Sequence, residues 1–170
     1  IPYSKQTISS ADIKQVITVM KSKFLTQGNY VQQFEKGISK YVKSKYAVAV
    51  SSASAGLHLA CLALNLNKKD LVWTVPNSFI ASASCALHCG SKIDFVDIDR
   101  ETKNMSYTKL RKKLEKIKKK SDIPKAIVTV HFAGQPTEQE KIFQLSKKFG
   151  FKIIEDASHS LGASRLGEKV

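Results

Sequence analysis

The chain has 170 residues, 42% of them apolar and 25% charged, a balance that excludes a disordered or collagen-like polymer and allows one packed core. Its 28 lysines and arginines against 14 acidic residues give a formal charge of +14, which favours anionic ligands without selecting one. The least polar stretch, Ala47 to Leu66, still holds Ser51, Ser52, Ser54, His58 and Asn65, so it reads as strand, turn and helix rather than a membrane span.

The expected elements follow in chain order. Ile1 onward shows no basic-then-apolar leader, so no signal peptide and a cytoplasmic setting are expected. Ser9 or Ser10 caps a helix from about Ala11 to Lys21, with Ile13, Val16, Ile17 and Met20 on its apolar face. Phe24 to Gly28 form a turn, and a second helix runs from about Tyr30 to Val42. Tyr46 to Val50 is the first expected strand, followed at once by a helix from Ser54 to Leu64. A strand at Leu71–Val75, a helix at Phe79–Cys89 and a strand at Ile93–Val96 come next. Ser106 caps a basic helix reaching about Lys119. After a strand at Ala126–Val130, Thr137 caps a helix to Phe149 that Gly150 stops, and Phe151–Glu155 is a fifth strand. Short, continuous apolar strands alternating with helices predict a parallel sheet covered on both faces. No complete element follows the fifth strand, so the chain reads as the front part of a longer polypeptide.

Two compositional features have plain readings. The run KLRKKLEKIKKK from Lys109 to Lys120 carries Leu110, Leu114 and Ile117 at helical spacing and no interleaved aromatic residue. That fits a solvated amphipathic helix better than a nucleic-acid or membrane patch. Cys61, Cys85 and Cys89 each fall in an expected helix beside apolar residues and read as buried free thiols, because their spacing with His88 makes a poor zinc site.

Three segments carry chemistry, because each follows a strand, and the carboxyl ends of parallel strands share one ligand-binding edge. In Ser51-Ser52-Ala53-Ser54-Ala55-Gly56 a tight turn feeds a helix whose first N–H groups lack partners; it is either a serine cap or a phosphate cradle. It matches neither the P-loop nor the GxGxxG pattern. In Pro76-Asn77-Ser78-Phe79, Asn77 or Ser78 is positioned to cap the next helix, and Phe79 either anchors that helix or stacks on a flat ligand. In Glu155-Asp156-Ala157-Ser158-His159, Asp156 caps a turn, binds a hard metal, or holds a protonated ring nitrogen. Asp94, Asp97 and Asp99 form a weaker acidic cluster, and His131 and Gln135 lie at the same sheet edge.

These segments, together with LTQG at Leu25–Gly28, PNSFIASASCAL at Pro76–Leu87, FVDID at Phe95–Asp99, HFAGQP at His131–Pro136 and IIEDASHSLGA at Ile153–Ala163, span nearly the whole chain. In that order they resemble the DegT/DnrJ/EryC1/StrS family of nucleotide-sugar aminotransferases. The resemblance is strongest to its transaminases of pseudaminic acid biosynthesis, which serve flagellin glycosylation. It implies an α/β, fold-type I PLP-dependent transferase, with residues 1–170 covering N-terminal helices and part of the cofactor-binding large domain. The rest of that domain and a small C-terminal domain would be missing. Ala53 and Ser54 match the pair that binds the phosphate of pyridoxal 5′-phosphate (PLP), where the family more often has Gly-Thr. Phe79 matches the ring that stacks on the pyridine, and Asp156 the carboxylate on its nitrogen. His159 matches a position near the phenolic oxygen, and Gly28 a segment near the substrate or a dimer partner. The Schiff-base lysine of the family has no match in this sequence, so these 170 residues alone are expected to be inactive.

The activity implied for a longer parent is transfer of an amino group from L-glutamate through PLP to C-4 of a UDP-linked 4-keto-6-deoxy-N-acetylhexose, in a homodimer, with no nucleic-acid or membrane partner. PLP-dependent dehydration of a nucleotide sugar is one alternative. A non-catalytic binding or regulatory module is another.

Overall fold

A serine opens the first helix. In the computed structural model, which describes residues 5–170 in two units divided after Ala49, the Ser9 hydroxyl accepts from the Asp12 amide at 3.3 Å. The Asp12 carboxylate accepts from the Ser9 amide at 2.7 Å. This reciprocal box starts α1 (Ser10–Met20). After Gly28, α2 (Asn29–Val42) runs to Lys43, which takes a left-handed conformation (φ 56°) that ends the helix. The apolar positions Ile13, Val16, Ile17 and Met20 of α1 are all exposed.

The strand expected at Tyr46–Val50 forms no ladder among the described residues. Tyr46 and Val48 are each 75% exposed, and the Ala49 amide donates to the Glu35 carboxylate at 2.8 Å. The composition favours extended backbone, but a strand exists only where a neighbouring strand pairs its N–H and C=O groups.

The second unit is built on four parallel strands, β1 (Leu71–Thr74), β2 (Lys92–Phe95), β3 (Ala126–Val130) and β4 (Lys152–Asp156), in the order β2-β1-β3-β4. Alternate side chains leave the sheet on opposite faces. On one face Trp73 and Ile127 pack with Leu110 and Leu114 of α5 (Tyr107–Glu115) and Ile142 and Leu145 of α6 (Gln139–Phe149). On the other, Val72, Val128 and Ile154 pack with Leu57 and Cys61 of α3 (Ala53–Ala63) and Ala81 and Cys85 of α4 (Ala81–Leu87). Every residue of β3 is buried, as expected of a strand covered on both sides. Each buried leucine contributes roughly 1.5–3 kcal/mol. Among the described residues no helix is long and apolar enough to cross a membrane.

Several boundaries differ from expectation. Helix α5 stops at Glu115, not Lys119, and a short 3-10 turn follows at Lys120–Asp122. The run Lys116–Lys120 holds four lysines, which a continued helix would bring together at three- and four-residue spacing. Helix α4 begins at Ala81, not Phe79, and neither Asn77 nor Ser78 caps it: the Asn77 side chain donates through Nδ2 to the Lys103 carbonyl at 2.9 Å, and Ser78 pairs with Ser82 at 2.8 Å. Cys89 therefore lies beyond the helix, half-buried, while Cys61 and Cys85 are buried free thiols. A hydrogen bond with Cys85, aided by burial, pushes the Cys61 thiol up, which keeps it unreactive at neutral pH. Thr137 does not cap α6; the residue at the cap is Glu138, and the Thr137 amide donates to His131 Nδ1 at 3.1 Å. Gly150 ends α6 at φ 86°, as its position predicts. The residues after β4, expected to hold no element, form a small antiparallel hairpin, β5 (Ser164–Arg165) with β6 (Glu168–Lys169).

Candidate functional site

The carboxyl ends of β1, β3 and β4 and the start of α3 surround a cavity of about 430 Å³. Its lining includes Ala53, Ser54, Asn77, Ser78, Phe79, His131, Phe132, Asp156, Ser158 and His159. Thus the turn before α3, the loop after β1 and the turn after β4 meet at one place. Parallel register puts them there: Val130 at the end of β3 aligns with Asp156 at the end of β4.

Each wall has a local cause. Ser52 is the N-cap of α3, and its hydroxyl accepts from the Ala55 amide at 3.2 Å. The amides of Ala53 and Ser54, at the first two helical positions, have no carbonyl within the helix to pair with. They lie at the positive end of the helix dipole, where an anion is favoured. Phe79 is 73% exposed, so its ring is available to a ligand rather than committed to the core.

Asp156 is held from two sides. Ser82 donates to Oδ2 at 2.9 Å, and the Ser158 hydroxyl donates to Oδ1 at 2.5 Å. Ser78 extends this chain of hydroxyls through Ser82. The two donors fix the carboxylate plane and leave lone pairs for a further donor. Neither Ser82 nor Ser158 stood out in the sequence. The signal for Ser82 was its four-residue spacing from Ser78 across the start of a helix, and for Ser158 its place two residues after an aspartate.

His131 lines the cavity but is otherwise buried. Its Nδ1 accepts from the Thr137 amide, so in the neutral ring Nε2 bears the hydrogen. Nε2 lies 3.5 Å from the Glu155 carboxylate and 3.4 Å from the Gln139 amide. His159 and Gly28 complete the expected set. His159 lines the cavity, whereas Gly28 belongs to the N-terminal unit as the N-cap of α2. Gln135 does not line the cavity, and its carbonyl instead accepts from Asn104 at 2.8 Å.

Aspartates 94, 97 and 99 do not converge. Asp94 pairs with Lys113 at 2.7 Å and Asp97 with Lys109 at 2.5 Å. Asp99 accepts from the Thr102 and Glu101 amides, which hold its carboxyl below the usual range. Among the described residues no group of three or more His, Cys, Asp or Glu side chains is arranged to hold a metal ion.

Comparison with known proteins identifies the family. The model of the DegT/DnrJ/EryC1/StrS aminotransferase family matches residues 6–170. The chain is 39% identical, over its full length, to a UDP-4-amino-4,6-dideoxy-N-acetyl-beta-L-altrosamine transaminase of Campylobacter jejuni, of which it covers 44%. Among solved structures it is similar to Helicobacter pylori PseC, an aminotransferase of pseudaminic acid biosynthesis, with 31% identity and a TM-score of 0.87 over 99% of this chain and 44% of that one. It is similar to the same extent, 30% identity and TM-score 0.87 over 99% and 44%, to a GDP-4-keto-6-deoxymannose-3-dehydratase with a trapped PLP-glutamate geminal diamine. The chain thus spans less than half the length of these relatives.

Proposed function

Because the chain belongs to the DegT/DnrJ/EryC1/StrS aminotransferase family, we propose that its cavity holds PLP and that the whole protein moves an amino group from L-glutamate to C-4 of a UDP-linked 4-keto-6-deoxy-N-acetylhexose. The observation that carries this reading is that Ala53, Ser54, Phe79, Asp156 and His159 line one cavity.

The donor set suits the cofactor. The Ala53 and Ser54 amides and the Ser54 hydroxyl bind a phosphate at the positive end of α3. Phe79 offers an exposed ring to a flat heterocycle. Asp156, fixed by Ser82 and Ser158, keeps a proton on a pyridine nitrogen, through a charged hydrogen bond worth roughly 1.5–3 kcal/mol. His159 stands on the turn beside Asp156 and serves the phenolic oxygen. PLP, when bound, supplies an electron sink that carbon–hydrogen cleavage at an amino acid requires. The family's lysine has no counterpart among Ile1–Val170, so proton movement at the substrate carbon is assigned to none of these residues. Gly28 is proposed to lie near the sugar or a second subunit of a homodimer.

A second reading is dehydration of the nucleotide sugar, favoured by the similarity to the dehydratase at 30% identity. One experiment separates them. The whole protein is incubated with PLP, L-glutamate and the UDP-linked 4-keto sugar, and the products are read by mass spectrometry. The proposal expects 2-oxoglutarate and a 4-amino sugar in equal amounts. A sugar that loses water and gains no nitrogen would establish the dehydratase, and unchanged sugar would overturn both.

A further inference from the structure

One buried amide lies outside the cavity lining. Asn104 is 3% exposed, and its side chain makes three hydrogen bonds, all to one loop. Oδ1 accepts from the Phe132 amide at 2.9 Å, and Nδ2 donates to the carbonyls of Gln135 at 2.8 Å and Pro136 at 3.2 Å. The clamped loop contains Ala133 at φ 51° and Gly134 at φ 84°. A left-handed alanine is held only where its surroundings impose it. Asn104 grips both ends of that loop, before Ala133 and after Gly134.

The loop in turn bears on the site. A Cβ on Gly134 would lie 2.8 Å from the His159 carbonyl oxygen, so the two backbones touch. The His131 amide donates to the Asp156 carbonyl at 3.1 Å, and Phe132 lines the cavity. Asn104 also has a fixed seat: its carbonyl accepts from the Asp99 amide at 2.9 Å, in a turn that the Asp99 carboxylate organises. The adjacent Lys103 carbonyl accepts from Asn77 Nδ2, in the segment that carries Phe79.

We propose that Asn104 is a positioning residue for the cofactor cavity: it clamps the 132–136 loop, and the loop, through Gly134, sets the turn that carries Asp156 and His159. The PLP part of this inference rests on the function proposed above; the mechanical part does not. Lys103 and Asn104 together brace the loop after β1 directly and the turn after β4 through one intermediate.

The test uses the whole protein and two variants. Asn104→Ser retains polarity but is too short to bridge Phe132 to Gln135 and Pro136. Asn104→Asp keeps the shape and loses both donors, and whichever variant folds serves. Leu114→Ala, in the core of α5 away from the cavity, controls for general loss of stability. Amide exchange is followed in the cofactor-free protein, and PLP affinity by absorbance titration, with visible circular dichroism reporting the seating of bound PLP. The Asn104 variants are expected to exchange about tenfold faster at both 132–136 and 157–160, to bind PLP about tenfold more weakly, and to give less dichroism per bound PLP. Leu114→Ala is expected to lower the melting temperature and leave all three unchanged. Faster exchange confined to 132–136, or PLP affinity and dichroism equal to those of the parent, would overturn the proposal. A parent that binds no PLP would overturn the cofactor reading alone, because exchange at 157–160 still decides whether Asn104 sets the turn.

Discussion

At the scale of single residues, the two polar ends of the cavity ask for different effects. Ser54 contributes to binding, so Ser54→Ala is expected to weaken PLP affinity roughly tenfold, the loss of one hydrogen bond to a charged group, and to leave turnover of the loaded protein nearly intact. Asp156 contributes to binding and to reactivity, so Asp156→Asn is expected to cost less than about tenfold in affinity and about a hundredfold or more in single-turnover transamination. Cofactor titration and single-turnover kinetics on the two variants check the contrast; equal losses in both would contradict the division of labour. Phe79 was legible because it follows β1 within a few residues, Asp156 because it ends β4, and Ser54 because it opens a helix just after a serine cap, although the strand expected before it does not form. Ser82, which fixes Asp156 from 74 residues away, and Asn104, which acts on a loop 28 to 32 residues later, were not. Their significance lies in long-range contacts, and residue type alone does not encode these.

At the scale of elements, local chemistry predicted what local chemistry decides. Ser9, Ser52 and Ser106 cap helices, and Gly150 ends one, because a cap needs only its own next three residues. Tyr46–Val50 misled because a ladder needs a partner. Thr137 misled because Glu138 takes the cap position, one residue later, and the Thr137 hydroxyl is buried without a hydrogen-bond partner. The closing hairpin had no strong pattern of its own; it is tied to α6 by Arg165, whose guanidinium meets Glu140 through two bonds of 2.9 and 2.7 Å. That pairing lowers the Glu140 carboxyl from the ordinary value of 4.5 to about 2. A lowered acid favours the folded state only while it is ionised. The tie is therefore complete above about pH 4.5 and is lost as pH falls toward 2. Backbone NMR signals of residues 164–169 are expected to shift over that window, and Glu140→Gln is expected to abolish the acid-dependent step. The same step in the variant would assign it to another group.

At the scale of the molecule, the parallel sheet and its two apolar faces followed from the alternation of short apolar runs with helices, and the strand order is what gathers the site. The charge of +14 is less informative than it looks, since Lys109 and Lys113 of the basic helix are engaged with Asp97 and Asp94. The central claim is that one cavity grips a phosphate, an aromatic ring and a ring nitrogen at three fixed points. Its most direct measurement is a crystal structure of the whole protein grown with PLP. The account predicts the phosphate on the amides of Ala53 and Ser54, the pyridine ring against Phe79 and its nitrogen on the Asp156 carboxylate. PLP bound at another place, or in this cavity with its phosphate away from α3 and its nitrogen away from Asp156, would contradict it.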